Sequence, residues 1–460
     1  MSDSSTEPLD TQAREEDYEL SPRQVMAITY AVERGDAEAL AELLEPMHPA
    51  DIADLLEQIN AFDRGRLVRL MGDEFSGEIL SELDDALRDR IIPLLPKTVL
   101  EDAVRELDSD DLVDLVEDLD APEAILDALD DRDRAAVESA LAYPEGSAGR
   151  LMQREVVMAP EHWTVGDAID HMRNADHLPD QFYHMVLVDP RLHPIANVTL
   201  GRIMGAPRAK LLRDIAEEVF EVISVTQDEG DVAYAFNQYH LISAPVVDED
   251  GRLVGVITID DAMAVLDAEH EEDMLLMAGV SESSLSDSVA DTVRARLPWL
   301  FAALAAGIAG AAVISQFDEA ISAFVALAIL MPIVAAMGGN AGTQTLTVTV
   351  RALATRDLTR ANIMRVIRRE FLVGLLNGTV FATVMGGLAA VWFDMPELGL
   401  IMAAALIINM LIAGLVGTMV PYVLDKLGAD PALASGTFVA TTTDMMGFFA
   451  FLGLASLVLL

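Results

Sequence analysis

The stretch "VATTTDMMGFFAFLGLASLVLL" (439–460) places one carboxylate, Asp444, inside an apolar run long enough to cross a bilayer. An ionised Asp at the centre of a membrane helix costs ~2.5–3.5 kcal/mol even on insertion scales, so such a residue marks a functional position by default. Upstream, Pro431 suits a first helical turn with Asp430 as its N-cap. The predicted helix then carries Gly436, Ala440 and Asp444 four residues apart, hence on one face. That face offers backbone carbonyls beside small residues and a single carboxylate. With no cysteine in the chain and no histidine nearby, an all-oxygen site suits a hard cation such as Mg²⁺. Mg²⁺ sheds its waters reluctantly and is typically held through one or two carboxylates. Two plainer readings compete: a protonated Asp444, or one satisfied by the hydroxyls of Thr441, Thr442 and Thr443.

A second polar group lies in "MPIVAAMGGNAGTQTLTVTVRALA" (331–354). Pro332, Gly338, Gly339 and Gly342 should loosen a helix, while Asn340, Thr343 and Gln344 bring amide and hydroxyl groups to membrane depth. Such groups are tolerated where they face protein or a water-filled cavity. Asn340, Thr343 and Gln344 are therefore pore-lining candidates; close packing through small residues is the alternative for the glycines.

Five apolar segments, roughly 297–317, 320–350, 371–393, 399–424 and 432–458, must position these groups. Each can span about 30 Å of hydrocarbon. Arg294 and Arg296 precede the first, and six arginines from Arg351 to Arg369 lie between the second and third, whereas "QFDE" and "FDMPE" carry no Lys or Arg. Basic connections stay in the cytoplasm. A multi-pass protein of the cell membrane is expected, with cytoplasmic N-terminal domains and an outside C-terminus.

The formal charge of −46 resides almost wholly before this region, since residues 291–460 hold ten of the 76 acidic and nine of the 30 basic residues. A strongly acidic half repels nucleic acid and attracts cations. Residues 1–20 read as a disordered tail. Residues 21–142 read as short amphipathic helices opened by Asp, with "HPADIADLLEQI" and "DSDDLVDLVEDL" matching in pattern. Stacked helical hairpins forming an all-α superhelix follow from that repeat. Residues 143–209 and 210–268 are two copies of an α/β unit. Helices at "TVGDAIDHMRN" and "DVAYAFNQYHL" precede β-rich "FYHMVLVDP" and "APVVDEDGRLVGVITIDD". The Asp-Gly-type turn makes the latter a hairpin. A charged helix and linker, 269–296, lead to the membrane domain, 297–460.

Together, "YPEGSAGRLM", "PVVDEDGRLVGVITIDD", "RLPWL", "GGNAGTQ", "RALA" and "DPALASG…TTTD", in this order, resemble the MgtE-type magnesium channels over nearly the whole chain. The resemblance implies tandem CBS domains, a plug helix at 269–296, and a homodimer with the pore on its two-fold axis. It implies that Asp444 binds the hydrated ion with carbonyls at Gly436 and Ala440. It also implies cytoplasmic Mg²⁺ bound at Asp110, Asp114, Asp261, Glu269, Glu272 and Asp273, shutting the channel when Mg²⁺ is plentiful. Facing carboxylates repel until cations screen them, so occupancy biases one arrangement over another. CBS domains often bind adenine nucleotides such as ATP through a Thr-x-x-Asp pattern, for which Thr258 and Asp261 are the candidates here, with Asp261 open to the ion, the ribose or neither. The chain departs from the family at Thr437, where a proline is common, and at Ala264, where some relatives are acidic.

Passive, Mg²⁺-selective uptake is therefore expected. The alternatives are a channel for Co²⁺, Ni²⁺ or Mn²⁺, and a membrane-tethered CBS sensor that transports nothing. No P-loop, HExxH or nucleophile elbow is present, so an enzyme is not expected.

Overall fold

The computed structural model describes residues 20–117, 119, 122–175, 178–179, 182–218, 221–280, 289–434 and 436–460. The predicted tail, save Leu20, and the 281–288 part of the predicted linker lie outside them. The chain divides into two compact units, Met1–Leu266 and Asp267–Leu460.

The soluble unit opens with short helices whose starts are fixed by side chains accepting from free backbone N–H groups. Ser21 and Gln24 form a capping box before Pro22–Arg34, and Asp36, Asn60, Asp84 and Asp130 cap later helices. The apolar positions converge on one core that includes the fully buried Leu55, Leu56, Leu67, Leu80, Leu87 and Leu115. Buried Arg64 donates to the carbonyls of Leu56 and Ile59 at the end of Pro49–Gln58, closing that helix where no glycine does. Gly77 permits the tightest contact here, since a Cβ would sit 2.2 Å from the Ala103 carbonyl oxygen.

Two small sheets follow. In the first, β1 (Met158–Pro160) pairs parallel with β2 (His184–Val188), which pairs antiparallel with β3 (Pro194–Thr199), and β4 (Glu217–Glu218) completes the edge. In the second, β5 (Ile223–Ser224) pairs parallel with β6 (Ser243–Val247) and β6 antiparallel with β7 (Leu253–Thr258). Helices Val165–Asn174 and Glu229–Tyr239 precede the two hairpins, as the sequence predicts. Both hairpins shift register at equivalent places, Leu187/Val188 and Val246/Val247, which marks them as copies of one unit. The second turn is set by Asp248, which accepts from the N–H of Asp250 and Arg252, and by Gly251 at φ 78°.

Helix Ile259–Ala278 runs out of the second sheet. Five helices then have the length and apolarity to cross a membrane: Thr292–Ser315, Ala326–Ala354, Ile363–Phe393, Pro396–Lys426 and Gly436–Leu459. Three boundaries differ from the sequence reading. The predicted span 320–350 is split: a short helix, Asp318–Ala323, ends at extended Phe324 before Ala326–Ala354 begins. The third helix starts at Ile363 rather than 371, because its arginines are sound helix formers and extend it at its N-terminal end. Pro431 does not open the fifth helix. Pro431–Ala434 is a 3₁₀ turn capped by Asp430, whose carboxylate accepts from the Ala432 N–H at 2.7 Å.

Candidate functional site: a membrane carboxylate and an acidic cluster

In the membrane unit the second and fifth spans lie side by side. A Cβ built on Gly339 would sit 3.7 Å from Ala440 Cβ and 3.8 Å from Asp444 Oδ1. One built on Gly436 would lie 3.7 Å from Thr343 Cγ2. The Gly436–Ala440–Asp444 face of the fifth span therefore runs along the Gly339–Thr343 face of the second. Asp444 is half-buried, and its carboxylate has no hydrogen-bond or ion-pair partner among the described residues.

The hydroxyl alternative fails on geometry. Thr441, Thr442 and Thr443 donate to the carbonyls of Thr437, Phe438 and Ala440 at 2.7, 2.9 and 2.8 Å. Asn340 and Thr343 are exposed and donate backward to the carbonyls of Ala336 and Gly339, while Gln344 is exposed on the same helix. The glycines do not loosen this helix, which runs unbroken from Ala326 to Ala354 through Pro332. Gly342 instead admits Val439, and its carbonyl oxygen would lie 2.6 Å from a Cβ on Gly417. Packing through small residues explains Gly338 and Gly342, and Gly339 alone faces Asp444.

Sequence reasoning missed Asn409, the sole amide in the apolar run of the fourth span. It is fully buried, donates to the Val334 carbonyl at 2.9 Å, and fills the hollows left by Gly338 and Gly447. An Asn amid "ALIINMLIAG" was the available signal.

The last turns of Ile259–Ala278 join the same unit. Leu276 packs with Leu346, Val350, Ala432 and Val439, and the Met277 carbonyl lies 3.6 Å from where a Gly436 Cβ would be. The start of the Asp444 helix is thus covered by the end of this connecting helix. Of the three acids expected on it, Asp273 is half-buried, and burial, then the nearby Asp430, pushes its carboxyl above the usual range. Glu269 and Glu272 are exposed, so the structure does not gather all three.

In the soluble unit, Asp108, Asp110 and Asp111, at the start of helix Ser109–Glu117, meet Asp261 at the start of Ile259–Ala278. Burial pushes Asp110 well above the usual range, reinforced by Asp261 and Asp111. Asp111 is raised to about 7 by burial, then by Asp261, Asp108 and Asp114, with Arg88 opposing. Burial raises Asp261 to about 6, although Thr258 pulls the other way through its N–H at 3.2 Å and its hydroxyl at 2.6 Å. Asp114 shares the helix but departs from the cluster: it is largely exposed and bonded to Arg88 Nη1 at 2.9 Å. The sequence reading paired Asp110 with Asp114 and missed Asp108 and Asp111, because which turn of a helix faces a distant segment is a tertiary fact. Among the described residues no three Asp, Glu or His side chains converge tightly enough to ligate one metal directly.

A five-helix membrane unit with a carboxylate face, joined in sequence to an acidic helical and twin-sheet unit, has the layout of a multi-pass cation transporter. Residues 331–454 match the divalent cation transporter family MgtE, 47–146 the MgtE intracellular N domain, and 148–207 and 212–268 the CBS domain. The magnesium transporter MgtE of Thermus thermophilus is 35% identical over 342 residues, covering 73% of this chain and 75% of that protein. The magnesium transporter MgtE of Bacillus subtilis is 31% identical, covering 72% and 74%. A crystal structure of the cytosolic domain of the Mg²⁺ channel MgtE in complex with ATP is 30% identical, covering 52% of this chain and 99% of that one at a TM-score of 0.49. The chain belongs to the MgtE family.

Proposed function

We propose that this protein is a passive Mg²⁺ channel whose conducting site contains Asp444 with the carbonyls of Gly436 and Ala440, and that cytoplasmic Mg²⁺ closes it. The observation that carries the reading is the unpartnered Asp444 carboxylate opposite Gly339: an acid within an apolar span, facing a glycine and with no protein donor on it. A single carboxylate with neighbouring carbonyls and hydroxyls favours an ion that enters hydrated. Its relatives are named magnesium transporters, which supports Mg²⁺ over other divalents. One carboxylate per chain is little for a divalent ion, so a homodimer, with the two Asp444 side chains facing a shared axis, suits the charge balance.

The closing signal is read at two places. Asp108, Asp110, Asp111 and Asp261 repel one another until a cation screens them, and Asp273 with Asp430 does the same at the start of the Asp444 helix. Occupancy therefore favours the arrangement that holds these acids together. The basic connections support a cytoplasmic location for both acid groups and an outside C-terminus. ATP, held at Thr258 and Asp261, would draw on an acid that the cation site also uses.

Mg²⁺ flux into proteoliposomes with low internal Mg²⁺ tests the reading. Wild type should conduct, and a correctly assembled Asp444→Ala should lose at least about tenfold, equivalent to ~1.4 kcal/mol. Equal flux in both moves the site to Asn340, Thr343 and Gln344. No flux in either favours a non-transporting sensor, or, if Co²⁺, Ni²⁺ or Mn²⁺ passes, a different ion.

A further inference from the structure

The charges of the membrane unit are sorted by end. The connections after the first and third spans hold Asp318, Glu319, Asp394 and Glu397 and no basic residue, while all nine basic residues of 291–460 lie at the opposite end. Five of these, Arg351, Arg360, Arg365, Arg368 and Arg369, are exposed, and none of their guanidinium groups has a hydrogen-bond or ion-pair partner among the described residues. That is unusual in a chain with 76 acidic residues. The acid nearest in sequence, Glu370, turns inward, where Thr345 Oγ1 donates to it at 3.4 Å. Asp357 accepts from Thr355 instead.

Three of the arginines stand at the start of the third span, at i, i+3 and i+4, so Arg365, Arg368 and Arg369 share one face. The same face continues as Leu372, Leu376 and Val380, which are 56%, 67% and 60% exposed. The opposite face is closed: a Cβ on Gly374 would meet the Met410 carbonyl at 2.8 Å, and one on Gly386 the Gly399 carbonyl at 2.8 Å. Val384, 60% exposed, extends the outward stripe, and at 1.5 Å per residue the stripe from Leu372 to Val384 is ~18 Å long, about the depth of one leaflet. A cluster of uncompensated guanidiniums directly above an outward apolar stripe of acyl-chain length has the layout of a phospholipid. Arginine's planar fork binds phosphate bidentately.

We infer that Arg365, Arg368 and Arg369, with the Leu372–Leu376–Val380 stripe, form a binding site for an anionic phospholipid of the leaflet at that end. The phosphodiester and head group would sit among the guanidiniums, and an acyl chain along the stripe. The inference does not depend on which ion the protein carries.

The test reconstitutes the full-length protein in an equimolar mixture of phosphatidylglycerol and phosphatidylcholine, re-extracts it, and quantifies the retained lipid by mass spectrometry. Wild type should keep phosphatidylglycerol over phosphatidylcholine by several-fold. R365Q/R368Q/R369Q should fall to the ratio of the mixture, and R365K/R368K/R369K should regain part of the preference. Excess glycerol phosphate should not displace the lipid, because it lacks the chain. A wild-type ratio equal to that of the mixture overturns the inference without any variant. So does an unchanged ratio in the Gln variant. Efficient disulfide formation between two copies of R368C would put a second protein chain on this face and also overturn it.

Discussion

Gly339 and Asp444 face each other across two spans, with 3.8 Å between a Cβ added to the first and the carboxylate oxygen of the second. That distance is ordinary van der Waals contact, so Gly339→Ala should fold. Its methyl group would occupy space that an ion and its waters need. Flux in proteoliposomes is expected to fall several-fold with little change in melting temperature. Unchanged flux would mean that the ion does not pass between these two residues.

Asn409 and Gly338 form a tighter pair, since a Cβ on Gly338 would lie 2.1 Å from Asn409 Nδ2. Gly338→Ala should therefore destabilise by ~1–3 kcal/mol through overpacking. Asn409→Ala removes the hydrogen bond that the amide donates to the Val334 carbonyl and leaves a cavity. The double variant should lose less than the two single changes combined, because the new methyl group enters the vacated space. Thermal unfolding of the three variants in detergent decides this, and strict additivity would refute the wedge.

The acidic cluster predicts a pH dependence opposite to that of salt-bridged acids. Asp111 and Asp261 titrate near 7 and 6 when folded but near 4 when unfolded. Over that window the folded state binds more protons than the unfolded chain, so these groups lower stability as pH rises from about 4 to about 7. A fragment covering 1–266 without divalent ions should melt lower at pH 7.5 than at pH 5.5. Millimolar Mg²⁺ should remove most of the difference at pH 7.5, and Asp111→Asn should shrink it. Each kcal/mol of repulsion relieved is worth about 2–4 °C in a unit of this size. A melting temperature that rises across this range, or ignores Mg²⁺, would contradict the assignment.

On the connecting helix, Asp273 and Glu272 should behave differently. Asp273 is half-buried opposite Asp430, whereas Glu272 is exposed. Asp273→Asn should shift the cytoplasmic Mg²⁺ concentration that halves the flux by several-fold, and Glu272→Gln by less than twofold. Equal effects would show that the helix acts through its overall charge.

The fold was largely legible because its cues are local or periodic. Apolar length marks the spans, repeated Asp-opened helices mark the superhelix, and the Asp248–Arg252 turn marks a hairpin. Asp444 was legible for the opposite reason, as a violation of its apolar surroundings. What sequence hid was pairing between distant segments. Nothing local says that Asp111 rather than Asp114 turns toward Asp261, or that Gly338 is small for Asn409 while its neighbour Gly339 is small for Asp444. The split at Phe324 was hidden too, since a break between two apolar helices leaves hydropathy almost unchanged.

The sorting of charge between the two ends of the membrane unit also bears on how the chain is made. Arg294 and Arg296 stand in the first turns of the first span, six arginines run from the end of the second span to the start of the third, and Lys426 ends the fourth. With that end cytoplasmic, as proposed above, every connection there carries its own retention signal, and each pair of spans can be threaded correctly as it leaves the ribosome without consulting the others. A truncation after the second or fourth span should still insert in the native sense. Biogenesis would then proceed hairpin by hairpin, with the Asp444 helix arriving last into a bundle already oriented to receive it.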